Sequence, residues 1–217
     1  MIDMQQSREA AERQVWSGAV RKLFRTMELH DCAAAPEIME SLAVFCQQHP
    51  RITGRDLSLL MARSFCVAGD AEAAVRILQH DRAHRRYAGV WLEVLSSGYP
   101  FPELYPLFSS RAVYPQRLMS AGVLWALDFN KVQLTEADRH EVILFQTVRV
   151  LTEQVSNVWK KSNGGGTLGV KGLSRLTGLI GKRNRPDRLF RHIGDVLALC
   201  AQKNGWNHVP SVLCLSR

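Results

Sequence analysis

Several things are scarce in this chain of 217 residues. No run approaches the ~18 consecutive apolar residues that a membrane-spanning helix needs, so no such span is expected. The opening stretch MIDMQQSREAAERQVWSG has no apolar h-region, and a secretory signal is not expected there. The five cysteines (Cys32, Cys46, Cys66, Cys200 and Cys214) form no C-x-x-C pair. They are odd in number and set among apolar neighbours, which fits buried reduced thiols in a cytoplasmic protein. Aromatics are missing between Lys160 and Leu189. Acids are nearly missing there too: residues 158–192 hold Asp187 as their one acid.

What that stretch does hold is charge of one sign. Lys160, Lys161, Lys171, Arg175, Lys182, Arg183, Arg185, Arg188 and Arg191 are nine cations against one acid, a net +8. The whole chain also carries +8, so the rest sums to zero. Surplus confined to one segment points to contact with an anionic partner, whether nucleic acid, a lipid surface or an acidic protein. The missing aromatics speak against base stacking and for contact with phosphates.

Apolar residues recur at spacings of three and four, and alternating β-branched runs are not evident, so the expected fold class is all-α. Helices are expected over 6–29, from Pro36 to before Pro50, from Thr53 to Gly69, from Asp70 to Asp81, over Ala83–Ser97, over a short stretch ending near Ser110, and over Pro115–Asp128. Thr135 with Asp138 three residues on is a capping-box pattern, and it opens an expected long helix to Lys161. On that helix Leu144, Val148, Leu151, Val155 and Val158 form a stripe that suits an intramolecular core. Ser162-Asn163-Gly164-Gly165-Gly166 ends it, and three consecutive glycines suggest a flexible joint. The expected organisation is a helical-hairpin domain over 1–161, a Gly-rich basic joint and amphipathic segment over 162–185, and a C-terminal helix with an apolar tail over 186–217.

Read as a helix, Val170–Lys182 gathers Lys171, Arg175 and Lys182 on one face and Leu173, Leu176 and Ile180 on the other. With Arg183 and Arg185, these cations are the candidate anion-binding set. Gly172, Gly178 and Gly181 each weaken such a helix by about 1 kcal/mol relative to alanine.

Residues 57–82 carry a helical-hairpin signal. Met61, Ala62 and Phe65 share one helix face, Gly69-Asp70 makes the turn, and Ala74 and Leu78 share the facing side. Small residues let two helices approach and large ones fill the gaps. On Met61, Ala62, Phe65, Gly69, Ala74 and Leu78 this stretch resembles a tetratricopeptide repeat, with Ser58 where an aromatic is usual and Asp81 where a small residue is usual. The resemblance covers about one-eighth of the chain and implies a paired-helix scaffold that binds a protein partner. No second copy is clear, whereas a solenoid normally needs about three.

Catalytic patterns mostly fail. Gly164 to Lys171 reads GGGTLGVK, where Val170 separates glycine from lysine and spoils a phosphate-cradling loop. Gly172-Leu173-Ser174-Arg175-Leu176 lacks the second glycine of a nucleophile elbow. His30 and Cys32 stand about 20 Å along a helix from Cys46 and His49, too far to share an ion. The adjacent His80-Asp81, with His84 beyond, resembles the signature of HD phosphohydrolases, although Arg82 follows where that family has small or apolar residues. That resemblance implies a metal held by His49, His80, Asp81 and Asp138 that activates water. A histidine ending a helix is also explained by the dipole alone. The expectation is therefore a non-enzymatic adaptor without cofactor, contacting a protein through its hairpins and an anion through its basic segment. A metal-dependent phosphohydrolase and a nucleic-acid-binding protein are the rivals.

Overall fold

Thr53 does what its spacing to Asp56 predicts. Its amide donates to Asp56 Oδ2 at 2.9 Å, and the Asp56 amide donates back to Thr53 Oγ1 at 3.3 Å. This reciprocal cap opens a helix in the computed structural model, which describes residues 18, 20–29, 31–49, 52–82, 84–96, 101–118, 122–179 and 186–215. The chain divides into two units, residues 1–98 and 99–217. The boundary expected at 161/162 falls inside the second.

In the first unit, residues 20–26 are helical. They are followed by α1 (Ala35–Gln48), α2 (Gly54–Val67), α3 (Ala71–His80) and α4 (Ala88–Ser96). Between α2 and α3, Gly69 takes φ +85°, a conformation that suits glycine because it has no Cβ. Asp70 then caps α3 by accepting from the Ala73 amide at 2.9 Å. Ala62 and Ala74 are fully buried, as are Met61, Phe65, Ile77 and Leu78. Phe24 packs on Phe65 with ring centroids 5.8 Å apart. Arg63 Nη1 donates to the Leu95 carbonyl and so ties α2 to the end of α4.

The second unit departs from the all-α expectation. It is rich in helix but is built on a four-stranded mixed sheet in the order β1 (Val113–Leu118), β2 (Gly122–Asp128), β3 (Thr167–Lys171), β4 (Ser211–Cys214). Its helices are α5 (Phe101–Ser109), α6 (Glu141–Ser156), α7 (Leu173–Leu179) and α8 (Pro186–Asn204). β1 pairs antiparallel with β2, while β2–β3 and β3–β4 are parallel. Parallel neighbours need crossovers; α6 makes the first, and α7 with α8 the second. Both connections step the same way along the sheet, so the right-handed rule sets α6 and α8 on one face, where they pack together.

The stretch expected as helix Pro115–Asp128 is thus the β1–β2 hairpin, and its period is two. Val113, Pro115, Trp125, Leu127, Leu168 and Val170 share one face by register. They are buried, and Trp125 meets Phe108 of α5 at 5.9 Å. Pro115 bounds the expected helix. It stands instead in an edge strand, the place in a sheet that tolerates a missing donor.

Three further expectations change here. The Thr135–Asp138 box forms, but it opens only a 3₁₀ turn, Glu136–Arg139. His140 is extended (φ −84°, ψ 127°), and α6 begins after it. Leu144, Val148 and Val155 are fully buried, so the stripe belongs to the unit's own core. The glycine joint is a packed turn. Gly164 has φ +84°, and a Cβ there would lie 1.9 Å from the His208 carbonyl oxygen. A Cβ on Gly166 would lie 2.0 Å from Trp159 Nε1. The tail expected after α8 ends in β4, the second edge of the sheet. No helix among the described residues is long and apolar enough to cross a membrane.

Candidate anion-binding site

The carboxyl ends of β2 and β3 lie side by side, since Asp128 and Lys171 are register partners. The basic helix expected over Val170–Lys182 does not begin at Val170. Val170 and Lys171 are the last residues of β3, Gly172 turns the chain at φ +78°, and α7 starts at Leu173. Gly172 is needed twice over: for that φ, and because a Cβ would stand 2.9 Å from the Asn130 amide nitrogen. The close approach joins the loop after β2 to the loop after β3.

Two cations of the expected set meet at this junction. The Phe129 amide donates to the Lys171 carbonyl at 3.1 Å, and the Phe129 carbonyl accepts from Arg175 Nη1 at 2.8 Å. One residue of the β2 loop, Phe129, therefore bonds both the Lys171 backbone and the Arg175 guanidinium. Lys171 Nζ donates to the Tyr114 hydroxyl at 2.9 Å and lies 5.5 Å from the centre of that ring. Asp128, almost buried, accepts from the Asn130 amide at 2.9 Å. Each cation uses one donor in these bonds, while an ammonium has three and a guanidinium five. The carboxyl ends of parallel strands are where open α/β sheets place ligands.

Lys182, Arg183 and Arg185 lie outside the described residues. Lys160, Arg188 and Arg191 of the basic stretch have contacts of their own. Lys160 precedes β3 and Lys171 ends it, and five strand residues span about 13 Å. Lys160 instead lines a groove of about 800 Å³ with Arg149 of α6 and Lys203 of α8. In that groove Arg149 is paired with Glu153 at 2.8 Å. Arg188 is paired with Glu141 at 2.9 Å and lies over the Phe145 ring. These placements follow ordinary helix-surface electrostatics.

The residues of the rival metal reading are engaged locally. His49 Nδ1 lies 2.9 Å from the Phe45 carbonyl oxygen of its own helix, and its ring stacks on Phe45 at 4.1 Å. Asp81 Oδ2 lies 2.9 Å from Nδ1 of the buried His84, whose ring meets Trp91 edge-on at 5.1 Å. His80 is exposed at the end of α3. Asp138 belongs to the second unit and accepts from Thr135 and, at 2.6 Å, from the Thr147 hydroxyl. Among the described residues no group of three or more His, Cys, Asp or Glu side chains could hold a metal ion. No disulfide joins any of the five cysteines, and burial pushes the Cys46 thiol up.

Tyr114, Asp128, Phe129 and Asn130 were not legible as site residues. The signal that could have found them is the short continuous apolar run Val123–Leu127, ended by Asp128, which suits a strand buried on both faces. Comparison with family models, with curated proteins and with solved structures finds no match to this chain.

Proposed function

We propose that this chain is a non-enzymatic binding protein whose second unit contacts an anionic partner through Lys171 and Arg175. The observation that carries this reading is that Phe129 bonds the Lys171 backbone and the Arg175 guanidinium, while Tyr114 accepts from the Lys171 ammonium, at one strand end within the segment holding the net +8. An exposed guanidinium fixed through one donor keeps its fork for phosphate or carboxylate oxygens. Lys182, Arg183 and Arg185 follow closely in sequence and extend the same contact. The partner is a polyanion read through its phosphates, because the segment offers no aromatic platform for bases.

The first unit serves as the protein-contact half. Its α2–α3 hairpin presents helix faces on a scaffold fixed by small buried residues, in the manner that a tetratricopeptide repeat presents its own. Five cysteines outside any disulfide support a reducing, cytoplasmic setting. The reading is tested by binding of DNA and RNA at several salt concentrations, with the parent compared with a variant in which Lys171, Arg175 and Lys182 become Gln. Loss of affinity and of salt dependence supports it, and unchanged binding by a folded variant removes it.

A further inference from the structure

We propose that the groove between α6 and α8 docks an acidic amphipathic helix of a partner protein. The two helices lie parallel and in step. Arg188 Nη1 donates to Glu141 Oε1 at 2.9 Å, and His192 Nε2 lies 3.2 Å from the Phe145 carbonyl oxygen. Both contacts join residues 47 apart in sequence, so each residue of α6 stands level with the one 47 further on. On that scale Leu199 is level with Thr152 and Lys203 with Ser156. The Glu141–Arg188 and Phe145–His192 contacts bridge the helices near their starts. Beyond them runs the groove of about 800 Å³.

Apolar side chains occupy its centre. Val150 is 49% exposed and Leu199 56%, and both line the groove. They differ in height by two residues, about 3 Å. Two large aliphatic side chains left this exposed across one groove are what a docked helix covers. Cations stand to either side of them: Arg149 beside Val150, Lys203 one turn past Leu199, and Lys160 beyond the end of α6. The rise from Arg149 to Lys160 is about 16 Å, three turns of a helix.

Charge selects the occupant. Among the described residues lining the groove, Arg149, Lys160 and Lys203 are cationic and Glu153 is the one acid, a net of 3 − 1 = +2. Arg149 holds Glu153 at 2.8 Å and has further donors in its guanidinium. The helix dipoles account for a lysine near each C-terminal end, but not for Val150 and Leu199 between the cations. A partner helix with apolar residues one turn apart and carboxylates to either side answers both features. A nucleic acid answers only one. Its phosphates would meet the lysines, leave the aliphatic pair uncovered and face Glu153.

Peptide selection on the full chain decides the matter. Random helix-forming peptides displayed on phage are panned at physiological salt, and the enriched ones are titrated by fluorescence anisotropy. They should be rich in Asp and Glu and carry Leu, Ile or Phe three or four residues apart. Val150→Gln with Leu199→Gln removes the apolar pair without adding charge; affinity should fall by about tenfold or more while the thermal melt is unchanged. Lys160→Glu with Lys203→Glu should weaken the acidic peptides and strengthen versions in which Lys replaces Glu. If the glutamine variant unfolds, this charge swap decides alone. Neutral or basic winners, or acidic ones that bind the glutamine variant as tightly as the parent, overturn the proposal. So does a fall in RNA or DNA affinity on Lys160→Glu with Lys203→Glu that matches the fall on changing Lys171 and Arg175 to Gln, which would assign the groove to nucleic acid.

Discussion

The Lys171 ammonium donates to the Tyr114 hydroxyl at 2.9 Å, reaching from β3 across β2 to β1. Register makes the contact possible: Tyr114 opposes Ala126 and Lys171 opposes Asp128, so the two side chains share a face with a small residue between them. Ala126, opposite Tyr114, is fully buried. Tyr114→Phe keeps the ring beneath the cation and removes only the acceptor. It should lower unfolding stability by about 1 kcal/mol, with an unchanged denaturant m-value. It should also loosen the lysine and so reduce affinity for an anionic partner without abolishing it. A loss of several kcal/mol would mean that the tyrosine hydroxyl supports more than this contact.

The glycine turn before β3 yields a graded test. Gly164→Ala places a methyl against the His208 carbonyl at a positive φ, and Gly166→Ala places one against the Trp159 indole. Each should destabilise by more than about 2 kcal/mol. Gly165→Ala meets the Ser162 carbonyl oxygen at 3.1 Å and has ordinary φ, so its cost should be nearer 1 kcal/mol or less. Thermal melts of the three variants check the order. Three equal, small effects would return the segment to a flexible linker.

Acid sensitivity should centre in part on Asp138. Burial alone would raise its pKa, but hydrogen bonds from the Thr147 hydroxyl and from the Thr135 amide and hydroxyl outweigh it and hold the carboxyl below its ordinary value. A depressed folded-state pKa stabilises the fold fully above the unfolded value of about 3.9 and loses that contribution as pH falls through the folded value. Asp138→Asn should therefore cost about 1 kcal/mol at neutral pH, as a lost helix cap does. Its difference from the parent should shrink below about pH 4. Urea titrations at pH 7 and pH 3 measure both; a constant difference would contradict the assignment.

Local chemistry was legible and long-range pairing was not. Thr53–Asp56, Gly69 and Asp70 announce the α2–α3 hairpin because caps and turns are decided within four residues. Ala62 and Ala74 announce its interface because helix contact needs small side chains. The sheet was missed where neighbours in space are far apart in sequence. Val170 and Lys171 continue a helical pattern on paper, yet they complete β3 because Leu127 and Asp128 offer them a ladder. The run Val123–Leu127 is apolar throughout, so periodicity alone does not separate strand from helix, and Pro115 stands in an edge strand rather than a helix. Three glycines read as freedom, while Trp159 and His208 need their missing side chains for packing. The charge imbalance was plain from the sequence. Its division between the Lys160 groove and the Lys171–Arg175 junction was not, because that depends on the length of β3.

The anion contact makes the most consequential claim and admits a quantitative check. If Lys171, Arg175, Lys182, Arg183 and Arg185 each neutralise one phosphate, about five counterions are displaced. The logarithm of affinity should then fall against the logarithm of salt with a slope of about −3.5 on a single strand and about −4.5 on duplex DNA. Changing Lys171, Arg175 and Lys182 to Gln should bring the slopes to about −1.4 and −1.8, since two contacts remain. The stability cost should be modest: Arg175 is exposed and gives up one bond to Phe129, and Lys171 gives up its bond to Tyr114. An acidic protein partner would show a shallower dependence set by screening, without the linear slope. Should the variant unfold, Lys171 and Arg175 are pins between β1, β2 and β3, and Tyr114→Phe should then cost far more than predicted above. Should it fold and bind as the parent does, the junction is a solvated end of a sheet and the proposed function falls with it.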